Sequence, residues 1–330
     1  MKHLTPALAL VLLISTGAAA QTPVAHRFIQ VAPGVYSAIG NGTIETRSSN
    51  MVIVNADDVL LVDTNITPEA TRRLVNDIKT ITDKPIRYVV NTHWHYDHTD
   101  GNQVFGTEVT IIGHENERAE ILQGVLKNRL TQEFQNLPAQ IENARKQGNA
   151  DRLNVLEAYQ EQLQETVPTP PSLTVADHLT LFRGTREIRI LYLGRGHSDT
   201  DLMVYLPREK VVATGDFFEG PGTGALAFGF HDEWANNLEK LKGLDVETVV
   251  PGHGEPFKGK DQIAYFQAFL RDLWNQTKTL HDQKVPVAEA AKRIDLSAHR
   301  DHYRNINGPG FQEATIARIY QVLDQRGGSN

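Results

Sequence analysis

The run Asn91-Thr92-His93-Trp94-His95-Tyr96-Asp97-His98-Thr99-Asp100-Gly101-Asn102 places three histidines and an aspartate within six residues, directly after the apolar stretch Ile86–Val90. Imidazole is a common metal ligand, and imidazole combined with carboxylate suits zinc. At the end of an extended strand alternate residues share a face, so His93 and His95 can grip one ion together. The chain then turns, which aims Asp97 and His98 toward a second ion. A polar loop whose histidines only cap or hydrogen-bond would explain a lone histidine. It does not explain this cluster together with the donors found later in the chain.

Upstream of that stretch, residues 31–37 begin a series of short strands, and 51–55 and 59–63 read as a hairpin around Ala56-Asp57-Asp58. Thr67-Pro68 opens a helix, with threonine as cap and proline at the first helical position; Ala70, Leu74, Val75 and Ile78 supply its apolar face. The order β, β, β, α, β is that of a layered α/β protein.

Downstream, 109–112 is another strand. His114 follows it and reads as a surface or hydrogen-bonded histidine, because no companion ligand adjoins it. From Glu115 to about Thr166 the composition shifts to Glu, Gln, Lys, Arg, Ala and Leu. Leu122, Leu126, Leu130 and Phe134 step by four, and Leu156, Tyr159 and Leu163 keep helical spacing, which predicts a helical hairpin interrupted near Pro138. Its charges read as a solvated outer face. Residues 167–172, rich in proline, lead back to a sheet. Strands are then expected at 179–183, 188–193, 202–206, 211–213 and 246–250, and helices at 234–241, 261–280 and around 287–294 and 311–323. Two β-rich starts with helical ends suggest two sheets covered by helices on both faces.

The chain has 330 residues, 40% hydrophobic and 22% charged, ample for a large core in one domain with an insertion. The net charge of −7 and the lack of a basic block argue against a nucleic-acid partner. Residues 1–20 read as a secretory signal: Lys2, an apolar run at 7–14, and Ala18-Ala19-Ala20 as a cleavage site that leaves Gln21 first. No later segment is long enough to span a bilayer. With zero cysteines there is neither a disulfide nor a lipid-attachment thiol. The expectation is a soluble periplasmic or secreted protein, residues 21–330 after cleavage, that acts on a small molecule. The oligomeric state stays open.

Three further residues, His197, Asp216 and His253, each follow an expected strand and adjoin glycine, which lets backbone approach a crowded site. With His93, His95, Asp97 and His98 they complete seven donors. The motifs His93-Trp94-His95-Tyr96-Asp97-His98, Gly196-His197, Gly215-Asp216 and Gly252-His253-Gly254, in this order, resemble the metallo-β-lactamase fold superfamily over about residues 31–273. The resemblance implies an α/β fold, an αβ/βα four-layer sandwich with metals at one edge between the sheets, the helical hairpin of about 115–166 being an insertion and about 261–330 the C-terminal helices. It implies two zinc ions per chain: His93, His95 and His197 on the first, Asp97, His98 and His253 on the second, and Asp216 bridging them. The activity implied is that of a zinc-dependent hydrolase, in which hydroxide generated between two dications opens an amide, lactam, lactone or ester carbonyl and Asp97 orients it and carries the proton.

Departures from the pattern bear on substrate. Many lactam-hydrolysing members have cysteine in place of Asp216 and a lysine shortly after it; here Phe217-Phe218-Glu219-Gly220 follows. A bridging aspartate resembles the thioesterase and lactonase branches instead. Yet a basic cluster of the glutathione-thioester hydrolase type is missing, and export suits lactam hydrolysis better. Lactam, lactone and other ester all stay open. A di-iron redox protein on this fold would usually carry glutamate in place of His95, and a closed structural zinc site would favour cysteine.

Overall fold

Neighbouring apolar residues in the strands face opposite ways, and this alternation builds the layers. Ile53, Leu60, Val90 and Ile112 join one core, while Val52, Leu61, Val89 and Ile111 join another on the reverse side of the same strands. The structure, a computed structural model, describes residues 24–327 apart from 221 and 304. The expected signal at 1–20 lies outside the described residues.

The first sheet has seven strands in sequence order: β1 (His26–Ala32), β2 (Val35–Gly40), β3 (Asn50–Val54), β4 (Val59–Val62), β5 (Ile86–Val90), β6 (Thr110–His114) and β7 (Leu173–Val175). The first four pair antiparallel, and β4 to β7 run parallel. The second sheet, in the order β13-β12-β11-β10-β9-β8, contains β8 (His178–Arg183), β9 (Arg186–Tyr192), β10 (Leu202–Leu206), β11 (Val211–Gly215), β12 (Thr248–Pro251) and β13 (Phe257–Lys258). All its pairs are antiparallel except β11 with β12.

One core joins Val35, Ile53, Leu60 and Val90 of the first sheet to Ile190, Val204, Val211 and Val250 of the second, so the sheets lie face to face. Helix α1 (Pro68–Ile78) covers the outer face of the first sheet through Leu74 and Ile78. Thr67 caps it by accepting the Ala70 N–H at 3.1 Å, with Pro68 beginning the helix, as expected. A four-residue turn of helix, α2 (Tyr96–Thr99), carries part of the histidine motif. The outer face of the second sheet, Met203, Tyr205 and Val212, is covered by α6 (His231–Gly243), α7 (Asp261–Asp282), α8 (Val287–Arg293) and α9 (Glu313–Gly327). Trp234 and Phe269 fill that outer core. The expected αβ/βα four-layer order is present.

The insertion is three helices: α3 (Glu115–Gln123), α4 (Val125–Lys146) and α5 (Ala150–Leu163). The hairpin of α4 and α5 closes over Leu137, Ile141, Leu156 and Tyr159 and rests on Ile66 beside the first sheet. Two expectations need correction. The helix is not interrupted at Pro138; α4 runs through it, because Leu137 and Ile141 on either side are held in the apolar seam while Pro138 faces solvent. The break comes at Gly124 (φ 90), a left-handed position that glycine reaches without penalty. Leu122 stands before that break and is 64% exposed, so it is outside the seam begun by Leu126.

A proline inside a helix removes one backbone hydrogen bond and strains the preceding turn. Pro138→Ala should therefore stabilise the protein by about 1–3 kcal/mol. A higher thermal unfolding midpoint would bear this out; an unchanged or lower one would show that the proline's restriction of the unfolded chain offsets the lost hydrogen bond.

Candidate metal centre

The donors converge because parallel strands end at one edge of the sandwich. β4 and β5 deliver Asp63 and the His93 run, and β11 and β12 deliver Asp216 and His253. His197 comes from the loop between β9 and β10. That loop is held by Asp201, whose carboxylate accepts from the Ser198 N–H and hydroxyl.

Glycine is required twice for this approach. Gly215 has φ 48, and a Cβ there would lie 2.3 Å from the Thr92 hydroxyl oxygen; a Cβ on Gly252 would lie 2.0 Å from Asp216 Oδ1. Either contact is far inside van der Waals distance.

The donors, buried except for the half-buried His253, fall into two groups, His93, His95, His197 and Asp216 in one and Asp97, His98 and His253 in the other, each with ligand atoms within 4.8 Å of one another. Asp216 faces both. Its Oδ2 lies 3.4 Å from His197 Nε2 and 3.8 Å from His93 Nε2, Oδ1 lies 3.3 Å from His98 Nε2, and His253 Nε2 is 3.2 Å from both oxygens. Asp97 Oδ2 is 3.7 Å from His98 Nε2 and 3.5 Å from His253 Nε2.

Behind the rings, hydrogen bonds choose which nitrogen points inward. Asp63 Oδ2 accepts from His98 Nδ1 at 2.8 Å, and the same carboxylate accepts from the Thr92 N–H and hydroxyl at 2.7 and 2.9 Å. That hydroxyl lies 3.1 Å from His93 Nδ1 and can accept its proton. His253 Nδ1 donates to the Arg47 carbonyl at 2.7 Å. In each case Nε2 is the nitrogen that points at the centre, where it can offer a lone pair once it is unprotonated. Asp63 itself adopts φ 64, a left-handed conformation that a short polar side chain tolerates at a cost.

Three inward atoms, His93 and His98 Nε2 and Asp216 Oδ1, are buried without a hydrogen-bond partner, and His95 Nδ1 and His197 Nε2 face each other at 2.8 Å, an arrangement that a cation would resolve. Electrostatics sort the groups in two. Burial, reinforced by His98 and His95, pushes His93 well below its ordinary pKa; burial lowers His95 to about 3, with His197 adding to it, and burial lowers His197 to about 4. Burial also disfavours charge on His98 and His253, but Asp216 and its neighbouring carboxylates prevail, holding His98 well above its ordinary value and His253 at about 10. Burial opposes charge on Asp216 as well, yet His253, His98 and His197 keep it ionised.

All seven donors expected from the sequence meet here. His114 does not join them: it is 3% exposed and accepts the Asn116 N–H at 3.1 Å as the cap of α3, so it is hydrogen-bonded as expected but not at the surface. Sequence reading missed Asp63, which looked like an ordinary polar strand end, and Glu219, noted only for not being lysine. Burial, then repulsion from Asp216, raises Glu219 to about 8; its carboxylate accepts the Ala225 N–H at 2.7 Å and lies 3.5 Å from His197 Nδ1. A cleft of about 250 Å³ opens over the donors, walled by Trp94, Tyr96, Ala225 and Phe228 and bordered by Arg129 of the insertion.

Residues 44–253, more than half of the chain, match the model of the metallo-beta-lactamase superfamily. A linear primary-alkylsulfatase from Pseudomonas sp. (strain ATCC 19151) is 25% identical over 292 residues, 80% of this chain but 53% of the alkylsulfatase, so the chain spans about half that relative's length. A type 2 metallo-beta-lactamase from Bacteroides fragilis is 23% identical over 257 residues, covering 75% of this chain and 86% of that one. Among solved structures, a metallo-beta-lactamase from Pontibacter korlensis superposes with a TM-score of 0.57 at 18% identity, over 74% of this chain and 99% of that one. The DIM-1 metallo-beta-lactamase gives 0.52 at 18%, over 75% and 98%. At these identities the structural likeness speaks for the fold.

A divalent ion at the second group needs unprotonated imidazoles, whereas His98 and His253 are charged at neutral pH without it. Binding should therefore expel about two protons per chain at pH 7, and affinity should rise with pH until His253 has titrated, near 10. Calorimetry in buffers of different ionisation heat measures this. Binding with no proton release would show that ions settle elsewhere.

Proposed function

The chain belongs to the metallo-beta-lactamase superfamily of hydrolases, and on that premise we propose that it is an exported enzyme that uses two zinc ions to open an amide, lactam, lactone or ester carbonyl of a small molecule. One observation carries the two-ion reading: Asp216 lies between the donor groups, with Oδ2 toward His197 and Oδ1 toward His98. His93, His95 and His197 would hold one ion, Asp97, His98 and His253 the other, with Asp216 between them. Five nitrogens and two carboxylates without a thiolate suit zinc, and they leave room for water as a catalytic site must. When bound, the zinc pair would supply Lewis acidity, making water acidic near neutral pH and polarising the scissile carbonyl.

The chain's own residues do the rest. Asp63 and Thr92 fix the rings of His98 and His93, so that the donors are set before substrate arrives. Asp97 lies on the cleft wall as well as beside His98 and His253, so its carboxylate can orient the attacking water and take its proton. Trp94 and Phe228 narrow the mouth of the cleft against bulk water. A second reading, hydrolysis of a sulfate ester, is supported by the likeness to the alkylsulfatase over 80% of this chain. Export rests on the signal-like residues 1–20 and fits the zero cysteines.

Zinc-loaded protein assayed against penicillins, carbapenems, homoserine lactones, aryl esters, thioesters and alkyl sulfates tests the activity and separates the two readings. Asp97→Ala should lower turnover by on the order of 10²–10⁴ even at saturating zinc, because orientation and proton transfer are both lost. Asp216→Ala should mainly weaken zinc affinity and regain part of its activity as zinc is added. Full recovery of Asp97→Ala in excess zinc would reduce Asp97 to a ligand.

N-terminal sequencing of the exported protein should read from Gln21. Retention of Met1 on that material would refute the cleavage site.

A further inference from the structure

Arg129 is the one guanidinium or ammonium among the described residues lining the cleft over the donor groups. It comes from α4, so the insertion rather than the sandwich supplies the guanidinium. Its guanidinium lies 4.0 Å from the centre of the Tyr96 ring, stacked on the aromatic side chain that sits between His95 and Asp97. Its acidic partner is Glu133, and Glu133 is shared: it also binds Arg47, at 2.7 Å. Arg47 in turn shares Glu45 with Arg152. Three guanidiniums thus divide two carboxylates, and Arg129 is the member of the network that borders the cleft. The acids of that cleft are otherwise engaged. Asp97 and Asp216 face the histidines, and Glu219 is turned to the Ala225 N–H.

The remaining wall, Trp94, Ala225 and Phe228, is apolar. A ligand that satisfies both parts has an apolar body and an oxyanion set apart from the bond being cleaved. Guanidinium is suited to that oxyanion, since its planar fork pairs with carboxylate or sulfate through two hydrogen bonds. We propose that Arg129 is a specificity-determining residue that anchors a carboxylate or sulfate group of an apolar-bodied substrate. This rests on the hydrolase reading of the site and names the substrate class for it.

The test is calorimetric titration of chelator-treated and zinc-loaded protein with 3-phenylpropionate, 2-phenylethanesulfonate and neutral 3-phenylpropionamide. Wild type should bind at least one of the anions about tenfold more tightly than the amide, with or without zinc, and which anion gains more separates carboxylate from sulfate-like recognition. Arg129→Gln should reduce that preference severalfold in the chelator-treated protein, and Arg129→Lys, which keeps charge and fold, should retain more of it. Glu133→Gln releases Arg129 from its carboxylate and should strengthen anion binding, a direction that a purely structural role would not produce. Equal binding of anion and amide by wild type, or an undiminished preference in Arg129→Gln, would overturn the assignment. The titrations need no turnover, so their failure and that of the hydrolase reading are separate results.

Discussion

Burying imidazole nitrogens and carboxylates together at one edge is the constraint on which the rest of this structure depends. Each unsatisfied buried polar atom costs about 1–3 kcal/mol, and three such atoms, His93 and His98 Nε2 and Asp216 Oδ1, lie where the two donor groups meet. A fold does not collect that penalty at one edge unless something takes up the lone pairs. Protons do so in part, on His98 and His253, which the surrounding carboxylates keep charged. Divalent cations would do so fully.

The scaffold follows from that requirement. Parallel pairing of β4 with β5 and of β11 with β12 brings the ends of four strands to one edge, where short loops can present side chains from both sheets. Asp63 ties the first pair together, because one carboxylate receives the Thr92 backbone, the Thr92 hydroxyl and the His98 ring. Gly215 and Gly252 do the corresponding work for the second pair by leaving space rather than making bonds. The helical insertion then rests on Ile66 and reaches the cleft with Arg129, which joins variation in that hairpin to the chemistry of the mouth.

Much of this was legible in the sequence, for identifiable reasons. The alternating runs of β3, β4, β5 and β6 and the Thr67-Pro68 cap are local signals, and local signals survive folding. The seven donors were legible because their residue types and glycine neighbours match a recurring pattern. Asp63 and Arg129 were not, since their roles exist only through partners 29 to 35 residues away or on another element. Pro138 misled for a related reason. Its helix-breaking tendency is local, whereas the seam of Leu137, Ile141, Leu156 and Tyr159 that overrides it is tertiary. Leu122 kept the four-residue spacing but lost its place when Gly124 turned the chain.

Anomalous diffraction at the zinc edge from crystals of the zinc-loaded protein tests the central claim most directly. Two peaks about 3.5–4 Å apart are expected, with Asp216 between them, His93, His95 and His197 around one, and Asp97, His98 and His253 around the other. A single peak, or ions held by residues outside these seven, would contradict it.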